Sequence, residues 1–239
     1  GEQYWRRVIT VLNRGGRWES YSKAWKGDKV AHPYAALLNL YQEKTAVTIH
    51  SGTGQSHFPV ATYVPIRSYT GKDLSEYRQI AGRLQLITHR TIVQTKSRTI
   101  VDPWLTPLMP ENGILIHPSD AEALGLKRGD LVRVKSATNR EGVYLLGNGK
   151  GKPMVGKLIP TETIRPGVVS FALGFGHWAT GASDLTIDEH TIRGEARRAA
   201  GIHANAAMWV DPDVKNTCLF DPVGGSVSFY DTWVTLERA

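Results

Sequence analysis

From residue 83 onward, apolar positions come in short runs, several of which alternate with polar ones. Arg83–Thr88 (RLQLIT) and the LVRVKSA stretch that begins at Leu131 have period two and read as half-buried strands. Gly113–His117 (GILIH) is an apolar run of strand length, and Gly142–Leu146, Val155–Pro160 and Val168–Leu173 add further strands. Pro118-Ser119-Asp120 followed by AEALGL predicts a short helix capped by Ser119 or Asp120. Ala121, Leu124 and Leu126 should face inward, with Gly125 ending the helix. Lys127-Arg128-Gly129-Asp130 and Arg165-Pro166-Gly167 read as tight turns. Many short strands with one or two short helices favour a closed or nearly closed barrel over a sandwich, the helices sitting at barrel corners. No repeat of fixed period is present.

Residues 1–82 are patterned differently. Turn-rich stretches such as GGRW (15–18), KGDK (26–29) and HSGTGQSHFP (50–59) dominate. Helical pieces are expected near Glu2–Leu12 and Tyr34–Glu43, the second because Leu37, Leu38 and Tyr41 keep helical spacing. With no periodic core between them, this irregular segment should pack on something else.

Composition narrows the class. The 239 residues are 41% hydrophobic and 21% charged, near the globular average. Lys plus Arg is 29 and Asp plus Glu is 22, giving a net charge of +7. The basic residues are scattered among carboxylates, which argues against nucleic acid as the partner and suits a small anionic ligand or an acidic neighbouring chain. No apolar run approaches the roughly 18 residues of a membrane span, and no signal peptide is visible. The lone Cys218 excludes a disulfide framework within the chain and any cysteine-rich metal cluster. Gly1 opens the chain without an initiator Met, so a processed or excised piece is expected.

Four polar clusters could carry chemistry. Thr88-His89-Arg90, with Gln94, Ser97, Arg98 and Thr99, follows a predicted strand and offers hydroxyls, an amide and two guanidiniums to an anionic, polyhydroxylated ligand. Taken locally, the exposed polar loop is the better reading. Gly174-Phe175-Gly176-His177-Trp178 also follows a strand. Its glycines permit close backbone approach, and the plain alternative is a strand end with a buried His and Trp. Asn205, in GIHANAA, could read the edge of a planar heterocycle or cap a turn. Asp211, in an Asp-Pro turn, could accept from a guanine edge. The Gly147–Lys152 run (GNGKGK) lacks a P-loop ending and reads as a hairpin tip. His50 and His57 form an unsupported metal pair, and no nucleophile has a clear base partner.

The order of motifs is nevertheless distinctive. RLQLITHR, QTKSRT, PWL, NGILIHPSDAEALGLKRGDLVRVKS, TETIRPGVVSFALGFGHWATGA, GIHANAAMWVDP and DTWVTLERA resemble, in that order, the C-terminal molybdopterin-dinucleotide-binding domain of the dimethyl-sulfoxide-reductase family. The resemblance covers residues 83–239, about two-thirds of the chain. GFGHWATG and the upstream VLNRGGRW look most like catalytic subunits of tetrathionate reductases, with arsenate and polysulfide reductases as close relatives.

The resemblance implies a mainly β fold with short helices. Residues 83–239 would form a six-stranded double-psi β-barrel, and residues 1–82 would be an irregular α/coil tail of a preceding catalytic region. It implies a bis(molybdopterin guanine dinucleotide) cofactor with molybdenum or tungsten, held by Thr88, His89, Arg90, Gln94, Ser97, Arg98, Thr99, Gly174, Gly176, His177, Trp178 and Asn205, and more weakly by Asp211. Iron–sulfur cysteines and the protein ligand to the metal would lie upstream, so this chain alone has no catalytic residue or metal ligand. The implied function is the cofactor-binding portion of a reductase of a sulfur oxyanion such as tetrathionate, in anaerobic respiration. Arsenate, selenate or polysulfide as substrate, or a non-catalytic barrel module, is the alternative. Implied partners are the rest of the catalytic subunit, an iron–sulfur electron-transfer subunit, and a membrane-anchor subunit. The implied location is extracytoplasmic.

Overall fold

The computed structural model describes residues 21–31, 41–60, 62–74, 84–146, 149–179, 181–221 and 223–239. The chain divides into two compact units. One comprises residues 1–46 and 58–62, and the other residues 47–57 and 63–239.

In the first unit, a one-turn 3-10 helix (Tyr21–Ala24) leads into a small hairpin, β1 (Trp25–Lys26) and β2 (Lys29–Val30), in which Trp25 faces Val30. A single helical turn, α1 (Glu43–Val47), runs to the edge of this unit. The expected Glu2–Leu12 helix lies outside the described residues, as does most of Tyr34–Glu43. Tyr41 and Gln42 are not helical, and the helix starts only at Glu43.

The second unit is built on a barrel. Its walls are β3 (Leu84–His89), β4 (Ile114–Ile116), β5 (Leu131–Ser136), β8 (Val155–Pro160), β9 (Val168–Ala172) and β12 (Thr232–Arg238). Between them lie α2 (Pro118–Ala123) and two hairpins, β6 (Val143–Leu145) with β7 (Gly151–Pro153), and β10 (Leu185–Ile187) with β11 (His190–Ile192). The strand order β12-β3-β9-β4-β8-β5 closes on itself. Pairs β3–β9 and β4–β8 are parallel and the other four contacts are antiparallel.

Alternation explains the barrel. Leu84, Leu86 and Thr88 of β3 point inward while Gln85, Ile87 and His89 are less covered. The same beat buries Val132 and Val134 of β5 and Val234 and Leu236 of β12. With Ile114, Ile116, Met154, Leu158, Val169 and Phe171 they fill one continuous core. Full burial of such a side chain is worth about 1.5–3 kcal/mol. Closure also removes the exposed edges that an open sheet would present.

The structure adjusts the sequence reading in three places. Gly142–Leu146 does form a strand, but outside the barrel, in the β6–β7 hairpin. The sixth wall is β12, which pairs with both β3 and β5 and shuts the cylinder. Helix α2 is capped by neither Ser119 nor Asp120: the ring Nδ1 of His117 accepts the Ser119 N–H at 3.2 Å, with Pro118 at the first helical position. Asp120 instead accepts the Gly167 N–H at 2.7 Å and ties the helix to the turn before β9. Ala121 and Leu126 are buried as expected, whereas Leu124 is 39% exposed because the helix ends before it.

Candidate functional site

Because β3 and β9 are parallel neighbours, the loops that follow them leave the barrel at the same end. Thr88 pairs with Phe171 and His89 with Ala172, and the Leu173 N–H donates to the His89 carbonyl at 3.0 Å. The Thr88–Thr99 cluster and the Gly174–Trp178 cluster, 75 or more residues apart in sequence, are thereby placed side by side. A small apolar cluster joins them further on: Ile100, Ala172 and Phe175 are buried together.

The third cluster is drawn in by Asn112, which sits just before β4 and is 1% exposed. Its Nδ2 donates to the Ala172 carbonyl at 2.7 Å and to the Ile202 carbonyl at 3.0 Å, and its Oδ1 accepts the Ile202 N–H at 2.7 Å. One side chain therefore fastens the end of β9 to the Gly201–Asn205 segment. The fit leaves no room for side chains nearby. A Cβ at Gly201 (φ +82°) would stand 2.3 Å from Asn112 Oδ1. One at Gly176 (φ +75°) would meet the His203 nitrogen at 2.4 Å. Glycine is required at both positions by backbone sign and by space.

Within this assembly the expected site residues differ in exposure. Thr88 is buried in the wall, while Arg90 and Arg98 are exposed cations. His89 ends β3 with its Nδ1 2.7 Å from the Ser170 hydroxyl, and burial lowers its pKa. Ser97 lies in a one-turn 3-10 helix (Lys96–Arg98). Gly174 and Gly176 are buried, His177 is half-buried and Trp178 is 43% exposed. Asn205 is exposed on a 3-10 turn, Ala204–Ala207.

Gln94 stands apart from these. It is 2% exposed, its Oε1 accepts the Thr99 hydroxyl at 2.7 Å, and its Nε2 has no hydrogen-bond partner. A buried donor left unsatisfied costs about 1–3 kcal/mol, so this atom calls for a partner outside the chain: an ordered water, an ion or a ligand acceptor.

Asp211 is held elsewhere. It is 3% exposed, and its two oxygens accept the backbone N–H of Tyr69 and of Asp213, each at 2.8 Å. Asp213 in turn accepts from the hydroxyls of Ser68 and Thr70 and from Lys72 Nζ at 3.0 Å. The Ser68 hydroxyl, then the Thr70 hydroxyl and Lys72, hold the Asp213 carboxyl well below the usual carboxylate range. In a separate loop, His50 Nδ1 accepts the backbone N–H of Gly52 and Thr53, and its ring stands edge-on to His57 at 5.5 Å. Among the described residues no group of three or more His, Cys, Asp or Glu could hold a metal.

Four residues of this end carried no assignment from sequence: Asn112, Tyr144, Lys152 and His203. His203 and Lys152 stood inside quoted motifs, GIHAN and GNGKGK. Nothing local distinguishes them from a turn histidine and a hairpin lysine.

Comparison with known proteins bears on the family. Residues 84–200 match the model of the molydopterin dinucleotide binding domain. The chain is 37% identical over 235 residues to a selenate reductase subunit of Mesobacillus selenatarsenatis, covering 98% of this chain and 22% of that protein. It is 25% identical to a tetrathionate reductase subunit of Salmonella typhimurium, covering 97% of this chain and 22% of the relative. It is 27% identical to the thiosulfate reductase molybdopterin-containing subunit of the same organism, over 86% of this chain and 22% of the relative. The chain thus spans about a fifth of the length of these curated relatives. With its closed six-stranded barrel and the match over residues 84–200, this part of the chain belongs to the molydopterin dinucleotide-binding domain family of the dimethyl-sulfoxide-reductase type.

Proposed function

We infer that the barrel end carrying the β3 and β9 loops holds a bis(molybdopterin guanine dinucleotide) cofactor, as the cofactor-binding portion of a molybdenum or tungsten reductase of a chalcogen oxyanion. The observation that carries the reading is the buried, unpartnered Nε2 of Gln94, placed among residues suited to such a ligand. Gln94 would donate to a pterin or phosphate acceptor. Arg90 and Arg98, both exposed, would pair with phosphate oxygens in bidentate fashion. Trp178 offers a flat apolar face, and Asn205 an amide with two donors and an acceptor. Bound, the cofactor supplies the redox chemistry, and this chain supplies position and charge complementarity.

The substrate assignment extends the same reading. Tetrathionate is the oxyanion that GFGHWATG and VLNRGGRW suggest, and the 37% identity to a protein named selenate reductase puts selenate beside it. The rest of the catalytic subunit, an iron–sulfur electron-transfer subunit, a membrane anchor and an extracytoplasmic location complete the proposal on family resemblance.

The test is elemental and fluorimetric. The full-length protein that carries this chain should contain molybdenum or tungsten with oxidisable pterin, in a ratio of roughly one metal to two pterins. It should also reduce selenate or tetrathionate with a dye donor. Protein free of both metal and pterin sinks the reading and turns attention to a binding module.

A further inference from the structure

The hairpin β6–β7 sets Tyr144 opposite Lys152 in register. Tyr144 donates its hydroxyl to the Gly176 carbonyl at 2.7 Å, and its ring lies 5.9 Å from that of His203. Lys152 Nζ donates to the Ala199 carbonyl, which anchors the ammonium against the segment leading to His203. The rings of His177 and His203 lie 4.4 Å apart. Three segments distant in sequence thus deliver an ammonium, two imidazoles and a phenol to one place beside the β9 loop.

All three nitrogen bases become cations on protonation. Burial lowers the pKa of Lys152, His177 and His203. His203 falls to about 4, through burial first and then the charges of His177 and Lys152. Tyr144 is pushed up to about 12 by burial and stays neutral, and His89 ends the neighbouring strand against Ser170. Glu195 is engaged by Arg197 and Arg198. Like-signed groups held together half out of water repel, and an anion placed among them turns that repulsion into attraction.

We propose that Lys152, His203 and His177 form a binding site for a tetrahedral oxyanion, that Tyr144 positions the hairpin carrying Lys152, and that the imidazole pair takes up a proton from solvent when the anion binds. The oxyanion is either a phosphate of the dinucleotide or the oxyanion that is reduced. That choice of source rests on the proposed function, whereas the site itself does not.

The experiment compares wild type with Lys152→Met, Lys152→Arg and His203→Asn in the full-length protein that carries this chain. Melting temperature serves as the folding control. If the source is the cofactor, guanine nucleotide retained per protein falls at least about fivefold in Lys152→Met and His203→Asn and is restored by Lys152→Arg. If the source is the substrate, nucleotide is retained and the KM for selenate rises at least about tenfold, with kcat within about threefold. Calorimetry with sulfate on wild type reads the site without any variant. Sulfate should bind about tenfold or more tighter near pH 6 than near pH 8, since one proton bound with the anion changes affinity about tenfold per pH unit. Folded variants with unchanged nucleotide content and KM overturn the proposal, and so does wild type with no saturable sulfate binding when its nucleotide is stripped. Wild type that lacks pterin yet binds sulfate more tightly in acid overturns the proposed function and leaves the oxyanion site standing.

Discussion

Two polar corners of the second unit show opposite electrostatics. At Asp211–Asp213 every carboxylate oxygen has a donor nearby: two backbone N–H groups for Asp211, and two hydroxyls and an ammonium for Asp213. At Tyr144–Lys152–His177–His203, basic groups crowd one another, and burial pushes each base toward its neutral form. The first corner is complete within the fold and ties the Ser68–Lys72 loop down. The second is the proposed oxyanion site. A satisfied network stabilises a structure, whereas basic groups crowded at a loop end suit an anionic ligand.

The strongest way to break the contrast is to remove the pin that assembles the second corner. Asn112→Ala should destabilise the protein by about 3–4 kcal/mol in chemical denaturation, because it leaves three buried backbone groups without partners. Asp211→Ala comes next, at about 2–3 kcal/mol, since it strands the N–H groups of Tyr69 and Asp213. Pterin content per folded molecule should not change in Asp211→Ala. A selective loss of pterin would move Asp211 into the cofactor site.

A pH titration separates the corners without mutation. His203 binds a proton in the unfolded chain below its ordinary 6.5 but in the folded protein only near 4. Its contribution is present above pH 6.5 and is lost as pH falls toward 4, on the order of 1 kcal/mol after allowance for solvent screening. His203→Asn should flatten the thermal stability profile in that window. Asp213, held below its ordinary 3.8, contributes stability that is lost at still lower pH, and Asp213→Asn should flatten only that acid limb. Coincident windows would merge the two corners into one titrating network.

The smallest expected stability effect is at Gln94. Gln94→Leu removes an unsatisfied buried donor along with one hydrogen bond from Thr99, so stability should change by less than about 1 kcal/mol. Retained pterin should fall about tenfold or more. Retention at the wild-type level would show that the Nε2 of Gln94 faces no ligand.

Much of the barrel was legible in the chain. Period-two runs at Leu84–His89 and Leu131–Ser136 announce half-buried walls, because a strand can bury only alternate residues. The helix after Pro118 was equally plain, although its cap was not: Ser119 and Asp120 are the usual capping types, and His117 took the role because its ring reaches the Ser119 N–H. Gly142–Leu146 has the pattern of a wall strand yet pairs with Gly151–Pro153, and Thr232–Arg238 closes the barrel instead. Which alternating strand joins which is a matter of pairing partners, and these lie far apart in sequence.

The site divides along the same line. By itself the sequence determined the residue types that could meet an anionic dinucleotide: two arginines, a glutamine, glycines after a strand, and an asparagine among small residues. Tertiary structure alone decided that the β3 and β9 loops share one barrel end, since that follows from a parallel pairing across about eighty residues. It also decided that Asp211 serves the Ser68–Lys72 loop and that Lys152 and His203 join His177. The physical reason is range. Alternation, capping and turn chemistry act over a few neighbouring residues, whereas burial and charge crowding depend on segments that only the closed barrel brings together.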